Sequence, residues 1–251
     1  LLGRKGEKNM KKVLKLMLAL VMSCAIAGCS SSSKNDADVT ITIGTSPDYA
    51  PYESLNKKGE IVGFDVDMAK LFEGYLSDME GKTYSLEFKQ MDFDNIVTQI
   101  QGDQIDLGIS GFTYSEDRVV EWSDPYLGTQ QVAVVPNGSS ITSNDQLVGK
   151  KLAAQTGATG EQAAKEVENA EVVSMKNVQD IFNGLASNQY DAAIVDLGVA
   201  KQYVSGGNFT QLDGSLMDEK NYVISNSNYA EVARQILEGL GGKDNVTSVD
   251  N

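Results

Sequence analysis

The 251-residue chain has no histidine, one tryptophan, four prolines and two cysteines, and both cysteines fall within its first 29 residues. Without imidazole the chain loses the commonest general base and metal ligand. His-based nucleophile triads, His–zinc sites and H-E-x-x-H chemistry are excluded, and no Cys cluster replaces them, so neither a metal nor a cofactor is expected. Positive charge is also scarce, with 21 Lys+Arg against 35 Asp+Glu and a net charge of −14. Nucleic acid is disfavoured as a partner, because counterion release needs clustered Lys and Arg. What remains is a globular composition, 41% apolar and 22% charged. The length allows one large domain or two lobes of about 100 residues each.

The positive charge is unevenly spread. Residues 1–28 carry six of the basic residues and one acid, leaving 15 basic against 34 acidic residues from Cys29 onward. Met10-Lys-Lys-Val-Leu-Lys15 is followed by thirteen uncharged residues, Leu16 to Gly28. A basic segment before a short apolar run reads as a secretory signal, too short for the roughly 20 residues of a spanning helix. Residues 1–28 are therefore expected to be a signal peptide, with 1–9 a possible upstream extension before Met10. Ile26-Ala-Gly-Cys29 resembles the bacterial lipobox, which implies cleavage before Cys29 and lipid attachment to its sulfur. Residues 29–38 then read as a lipidated tether, and cleavage would remove Cys24, so no disulfide is expected.

Beyond the tether, Val39–Ile43 alternates as a strand, and Met68, Leu71, Phe72, Tyr75 and Leu76 have the spacing of an amphipathic helix. Tyr84–Phe88 reads as a strand, Ile96–Ile100 as a helix and Ile105–Ile109 as a strand. This β-α-β-α-β order argues for a parallel sheet with helices on its faces. A second series starts at Leu152, with a helix from about Gly160, a strand at Val172–Met175, a helix at Val178–Ala186 and a strand at Ala192–Val195. Ile96, Val97, Ile100, Gln104, Asp106 and Ile109 recur 85 residues later as Ile181, Phe182, Leu185, Gln189, Asp191 and Ile194. Either two generic αβ units coincide, or the chain holds two similar α/β lobes. Ligands of open parallel sheets sit beyond the carboxyl ends of the strands, so two such lobes would enclose a ligand between Ser46–Tyr49, Ser110–Arg118, Gln155–Glu161 and Asp196.

Arg118 is one of two arginines after the leader, the other being Arg234, whereas 13 lysines serve the same region. Its planar fork matches a carboxylate bidentately, which Lys does not. Ser110, Gly111 and Thr113 lie just before it; the alternative is a surface Arg paired with Glu116 or Asp117. Asp196 ends a buried-looking strand and suits an ammonium group, or equally caps the following helix. Gly157-Ala-Thr159-Gly160 offers free N–H groups at a helix start, an anion site or a plain capped turn. Tyr49 and Phe93 either flank a ligand side chain or belong to the core.

Gly44-Thr-Ser-Pro-Asp-Tyr-Ala-Pro-Tyr52, Gly63-Phe-Asp-Val-Asp67 and Asp92-Phe-Asp94 together resemble the family 3 extracellular solute-binding proteins, polar amino-acid receptors of ABC importers. Ile105–Arg118, Ser123-Asp-Pro-Tyr126, Leu147–Lys151, Gln155–Glu161 and Tyr190–Asp196 continue the likeness in order, from about Val39 to about Leu212. The resemblance implies an α/β, two-lobed periplasmic-binding-protein-like (type II) fold with a hinge of two crossing strands, here Gln130–Val135 and Tyr222–Ser225. Lobe 1 would comprise 39–130 plus 224–251 and lobe 2 residues 131–223. Arg118 would clamp an α-carboxylate with Thr113 and the Thr159 N–H. Asp196 would take the ammonium with Ser110 or Gly111, Tyr49 and Phe93 would flank the side chain, and Ser46, Glu53 and Gln155 would lie near its tip.

Ser46 stands where receptors for basic amino acids often carry an acid. After Leu212 the chain departs from the family pattern, with Tyr222-Val-Ile224, a helix around Tyr229–Leu240 and a polar tail. The implied protein is a monomer, lipid-anchored through Cys29 at the outer face of the cell membrane, with an amino-acid ligand and an ABC permease as partners. A dehydratase on the same scaffold would need an acid or base of perturbed pKa in the cleft. A sensor would use the cleft without transport.

Overall fold

The computed structural model describes residues 37–239. The expected signal peptide, Cys29, most of the expected tether and the polar tail lie outside the described residues. Twelve strands and six α-helices follow in chain order among the described residues. The strands are β1 (Val39–Thr45), β2 (Asp48–Tyr49), β3 (Glu53–Leu55), β4 (Ile61–Val62), β5 (Tyr84–Gln90), β6 (Leu107–Thr113) and β7 (Glu121–Pro136). They continue as β8 (Lys151–Gln155), β9 (Glu171–Met175), β10 (Ala192–Asp196), β11 (Phe209–Gln211) and β12 (Met217–Ser225). The helices are α1 (Phe64–Glu80), α2 (Phe93–Gln101), α3 (Thr159–Glu166), α4 (Val178–Ala186), α5 (Leu197–Ser205) and α6 (Ala230–Gly239).

The expected β-α-β series are both present. In one lobe β5, β1 and β6 run parallel, and in the other β10, β8 and β9 do. Two long antiparallel strands join them. Strand β7 pairs with β12 from Glu121 to Gln131, then with β10 from Gln131 to Val134. Gln131 is the residue at which it changes lobes, opposite Met217 on one side and Asp196 on the other. Strand β12 pairs with β7 alone over Met217–Lys220 and reaches β6 at Asn221. The second crossing therefore begins before the Tyr222–Ser225 segment expected from sequence, and Tyr222 already lies beside Phe112. The result is a two-lobed α/β fold on one continuous path of strands.

The 85-residue repeat has a structural basis. Helices α2 and α4, and strands β6 and β10, begin at positions separated by that interval. Asp103 and Asn188, also 85 apart, both take the left-handed conformation that ends the helix (φ 52° and 55°), which Asn and Asp tolerate better than most residues. Asp106 then clips its strand to β1, accepting from Thr42 N–H at 2.7 Å while its own N–H donates to the Thr42 carbonyl. Asp191 does the same with Lys151 of β8, at 2.8 Å. Equivalent side chains face opposite sides of the sheet. Leu107 and Ile109 pack with α1, whereas Ala192 and Ile194 pack with α3.

Two expectations need correction. Leu71 is 67% exposed, because the buried face of α1 is set by Val66, Met68, Ala69, Phe72 and Leu76 and Leu71 lies on its flank. The expected strand at Ile105–Ile109 starts two residues later, since Ile105 and Asp106 form the turn that carries the clip. Helix α5 is the helix that Asp196 was expected to cap; the small β2-β3-β4 sheet was not foreseen, its strands being short and bounded by loop chemistry rather than by periodic apolar residues.

Replacing Asp106 by Ala leaves the Thr42 N–H without its acceptor and is expected to lower stability by about 1–2 kcal/mol. Asp191→Ala, at the more exposed clip, should cost less. Urea denaturation of the two variants checks this, and equal or reversed losses would contradict it.

Candidate functional site

The carboxyl ends of β1, β6, β8 and β10 converge where the lobes meet. Tyr49, Phe93, Ser110, Gly111, Thr113, Arg118, Gln155 and Thr159 line a single small cavity there, joined by Gln131 and Ala158. Its volume is about 10 Å³, room for about one water molecule, so the lobes must part to admit anything larger.

Arg118 lies between β6 and β7. Its guanidinium rests 5.6 Å from the Phe93 ring centroid and 5.3 Å from that of Phe112, and the two rings stack on each other. One nitrogen donates to the Thr113 carbonyl of its own lobe and another to the Gly157 carbonyl across the cleft, the latter at 2.7 Å. This planar, apolar-walled seat suits guanidinium and not a compact ammonium. Burial lowers the Arg118 pKa to about 10, which leaves it charged at neutral pH.

Asp196 ends β10 and caps α5. Its carboxylate accepts from the hydroxyls of Tyr52 (2.6 Å) and Thr129 (2.7 Å) and from Gly198 N–H (2.7 Å). The capping alternative is thus realised, and the Tyr52 bond also ties Asp196 to the other lobe. Gly198 makes the arrangement possible, since a Cβ there would lie 2.6 Å from the Tyr52 hydroxyl. Asp196 is buried outside the cavity lining, and its backbone N–H donates to the hydroxyl of Tyr49, which does line it. Burial raises the Asp196 pKa to about 6 against the opposing effect of its donors.

Two other sequence candidates stand back from the cavity. Ser46 donates to Asp48 at 2.8 Å. Glu53 is fully buried behind Ser110, accepting its hydroxyl at 2.7 Å, and so does not reach the lining. Burial and the neighbouring Asp65 charge hold the Glu53 carboxyl well above its ordinary pKa. Asp65 in turn accepts from Gly111 N–H and the Tyr126 hydroxyl. The pair fixes the Ser110–Gly111 turn from beneath, where Gly111 has φ 57°. Gln155 lines the cavity as expected and also reaches Asp48, at 3.4 Å.

Three residues were not foreseen. Asp48 is held by Ser46, Gln155 and, across the lobes, by the Val178 N–H at the start of α4 (2.7 Å). Gln131 sits at the pivot of β7. Glu219, on the crossing part of β12, accepts from Gln131 Nε2 at 2.7 Å and from Thr159 Oγ1 at 2.6 Å. Thr159 was expected to act through its N–H; its hydroxyl is the group engaged here. Polar side chains at a strand crossing are the signal that would have marked Gln131, but the segment around Glu219 has no periodicity to locate it. At the rim, Lys176 pairs with Asp92 at 2.9 Å, one more bond between the lobes.

Residues 41–169 match the family model of bacterial extracellular solute-binding proteins, family 3. The chain is 33% identical over 202 residues to the arginine-binding extracellular protein ArtP of Bacillus subtilis, covering 77% of this chain and 76% of that protein. It is 31% identical over 192 residues to the histidine-binding periplasmic protein of Escherichia coli K12, covering 74% and 70%. Among solved structures, holo ArgBP from T. maritima superposes with a TM-score of 0.73 at 31% identity, covering 80% of this chain and 90% of that one. Two parallel-sheet lobes joined by β7 and β12, with polar side chains gathered where the lobes meet, thus coincide with a family match over half the chain: it belongs to the family 3 bacterial extracellular solute-binding proteins.

Proposed function

We propose that this chain is the substrate-binding lipoprotein of an ABC importer, held at the outer face of the cell membrane through Cys29. It captures one amino acid between its lobes and passes it to the permease without turnover. The observation that carries this reading is the seat of Arg118: a half-buried guanidinium facing Thr113 and Thr159 where the lobes meet, with the buried acid Asp196 at the end of the opposite strand. A zwitterion's carboxylate and ammonium match these two charges. No helix among the described residues is long and apolar enough to cross a membrane, which fits attachment through the lipidated tether.

The ligand class follows from charge. Glu219 acts on Arg118 as an opposite charge, Asp196 and Asp48 make bonds across the same junction of the lobes, and burial raises all three carboxyls. A ligand bringing a further positive charge would relieve this excess, and two of the relatives are named for arginine and histidine. Asp48 supplies, two residues on, the acid that Ser46 lacks. We therefore assign an amino acid with a cationic side chain, with Tyr49 and Phe93 along its stem and Asp48 with Gln155 near its tip.

A thermal-shift panel of the common amino acids is expected to show stabilisation of ~4 kcal/mol at a thousandfold excess over Kd for arginine, lysine or histidine. Stabilisation by none of the panel would refute the reading. Arg118→Ala should weaken binding at least ~100-fold while the fold is retained, because the ligand carboxylate is then desolvated without its partner; calorimetry showing unchanged affinity would remove Arg118 from the site.

The excess of raised carboxyls also predicts how the unliganded protein responds to pH. Asp196 titrates at about 6 when folded against 3.8 for the ordinary group, so the folded state binds more protons than the unfolded one between those values. Stability is therefore lost as pH rises through about 6 and regained as it falls. No histidine titrates in this window. The melting temperature should rise by about 3 °C from pH 7.5 to pH 5, and Asp196→Asn should flatten the rise; a fall toward pH 5 would contradict the assignment.

A further inference from the structure

Thr159, one of the groups that would receive a ligand's carboxylate, already holds one beside Arg118. Glu219 reaches from β12 into the space beside Thr159, Gln131 and Arg118. Its Oε2 accepts from the Thr159 hydroxyl at 2.6 Å and its Oε1 from the Gln131 amide at 2.7 Å. The buried Thr113 hydroxyl has no hydrogen-bond partner, yet lies near enough to Glu219 to help hold its carboxyl in the ionised form. Arg118 and Glu219 act on each other as opposite charges, each favouring the other's ionised state. One hydroxyl and one amide bonded to a carboxylate, with a second hydroxyl and a guanidinium nearby, form a site for a single anionic group, filled by the chain itself.

We propose that Glu219 is a tethered competitor: in the solute-free, closed protein it occupies the subsite for the ligand's α-carboxylate, and binding requires that it be displaced. This rests on the cleft being an amino-acid site, as argued above. Two carboxylates sharing these donors would repel each other strongly in so small and buried a space. One must leave, and only Glu219 is tethered to a strand that lies at the crossing between lobes. Its departure is coupled to lobe motion for the same reason, because its donors and its counter-charge come from different parts of the molecule. Thr159 starts α3 in one lobe, Arg118 belongs to the other, and Gln131 sits at the pivot between them. Glu219 thus favours closure without solute and lowers the apparent affinity for solute by the fraction of molecules in which it occupies the subsite.

The consequence is specific to ligands that carry a carboxylate. An amine lacking one does not compete with Glu219 for Thr159 and Arg118, and gains nothing when Glu219 is removed. Were Glu219 instead a contact for the ligand's cationic end, its removal would weaken acid and amine alike.

The test is isothermal titration of the wild type, Glu219→Ala and Glu219→Gln with arginine and with agmatine, which is arginine without its carboxylate, and with the histidine–histamine pair. Circular dichroism establishes that each variant is folded, and the isosteric Gln variant keeps the test open should the Ala variant fail. Both variants are expected to bind the amino acid roughly tenfold more tightly, with no gain for the amine. A weaker or unchanged amino-acid affinity, or an equal gain for acid and amine, would overturn the proposal. A second readout needs no ligand. Small-angle scattering should show the solute-free variants more open than the solute-free wild type, and identical radii of gyration would overturn the proposal. If none of the amino acids binds the wild type or either variant, the proposed function fails, while the scattering still decides whether Glu219 holds the lobes together.

Discussion

One half-buried guanidinium organises the cleft. The chain is strongly acidic from Cys29 onward, and over that stretch it places only two arginines. Arg118 lies over two phenylalanine rings that stack on each other, with its fork turned to backbone carbonyls of both lobes. Such a group keeps its charge at neutral pH despite burial, as the value of about 10 indicates, and it has few competitors for an incoming anion. The surrounding acids make sense only in relation to it. Asp196 is saturated by Tyr52, Thr129 and Gly198, Glu53 is neutralised against Asp65, and Glu219 fills the anionic subsite directly. Each acid has a distinct means of tolerating burial: a set of donors, a shared proton, or a nearby cation.

The second constraint is topological. Strands β7 and β12 pass between lobes side by side, and the polar residues on the crossing, Gln131 and Glu219, are bonded to each other. A hinge normally absorbs motion through backbone rotation alone. Here it also carries side chains into the cleft, so the state of the site and the angle of the lobes are mechanically connected. Bonds at the rim and floor, Lys176 to Asp92 and Asp48 to the start of α4, join the lobes without help from a solute.

Much of this was legible from the chain. The 85-residue echo from Ile96 to Ile181 located two equivalent units, and the structure shows why Asp106 and Asp191 recur: each clips its strand to a neighbour. The strand-end loops led to Tyr49, Phe93, Ser110, Gly111, Thr113, Arg118, Gln155 and Thr159, which the fold gathers around one cavity. Glu53 and Ser46 lie outside the cavity lining, because a motif position says where along the chain a residue lies, not which way it turns. Glu53 turns behind Ser110, and Asp48, its neighbour in the same loop, faces the other lobe. Gln131 and Glu219 were missed for a different reason. Their significance depends on the register of two strands distant in sequence, which local patterns do not encode.

The central claim is that the cleft recognises an amino acid by its carboxylate, at Arg118. The most direct measurement compares the binding of arginine with that of arginine methyl ester by calorimetry, since the ester keeps every other group. The account predicts one-to-one binding of arginine and loss of binding by the ester. Equal affinity for the two would contradict it.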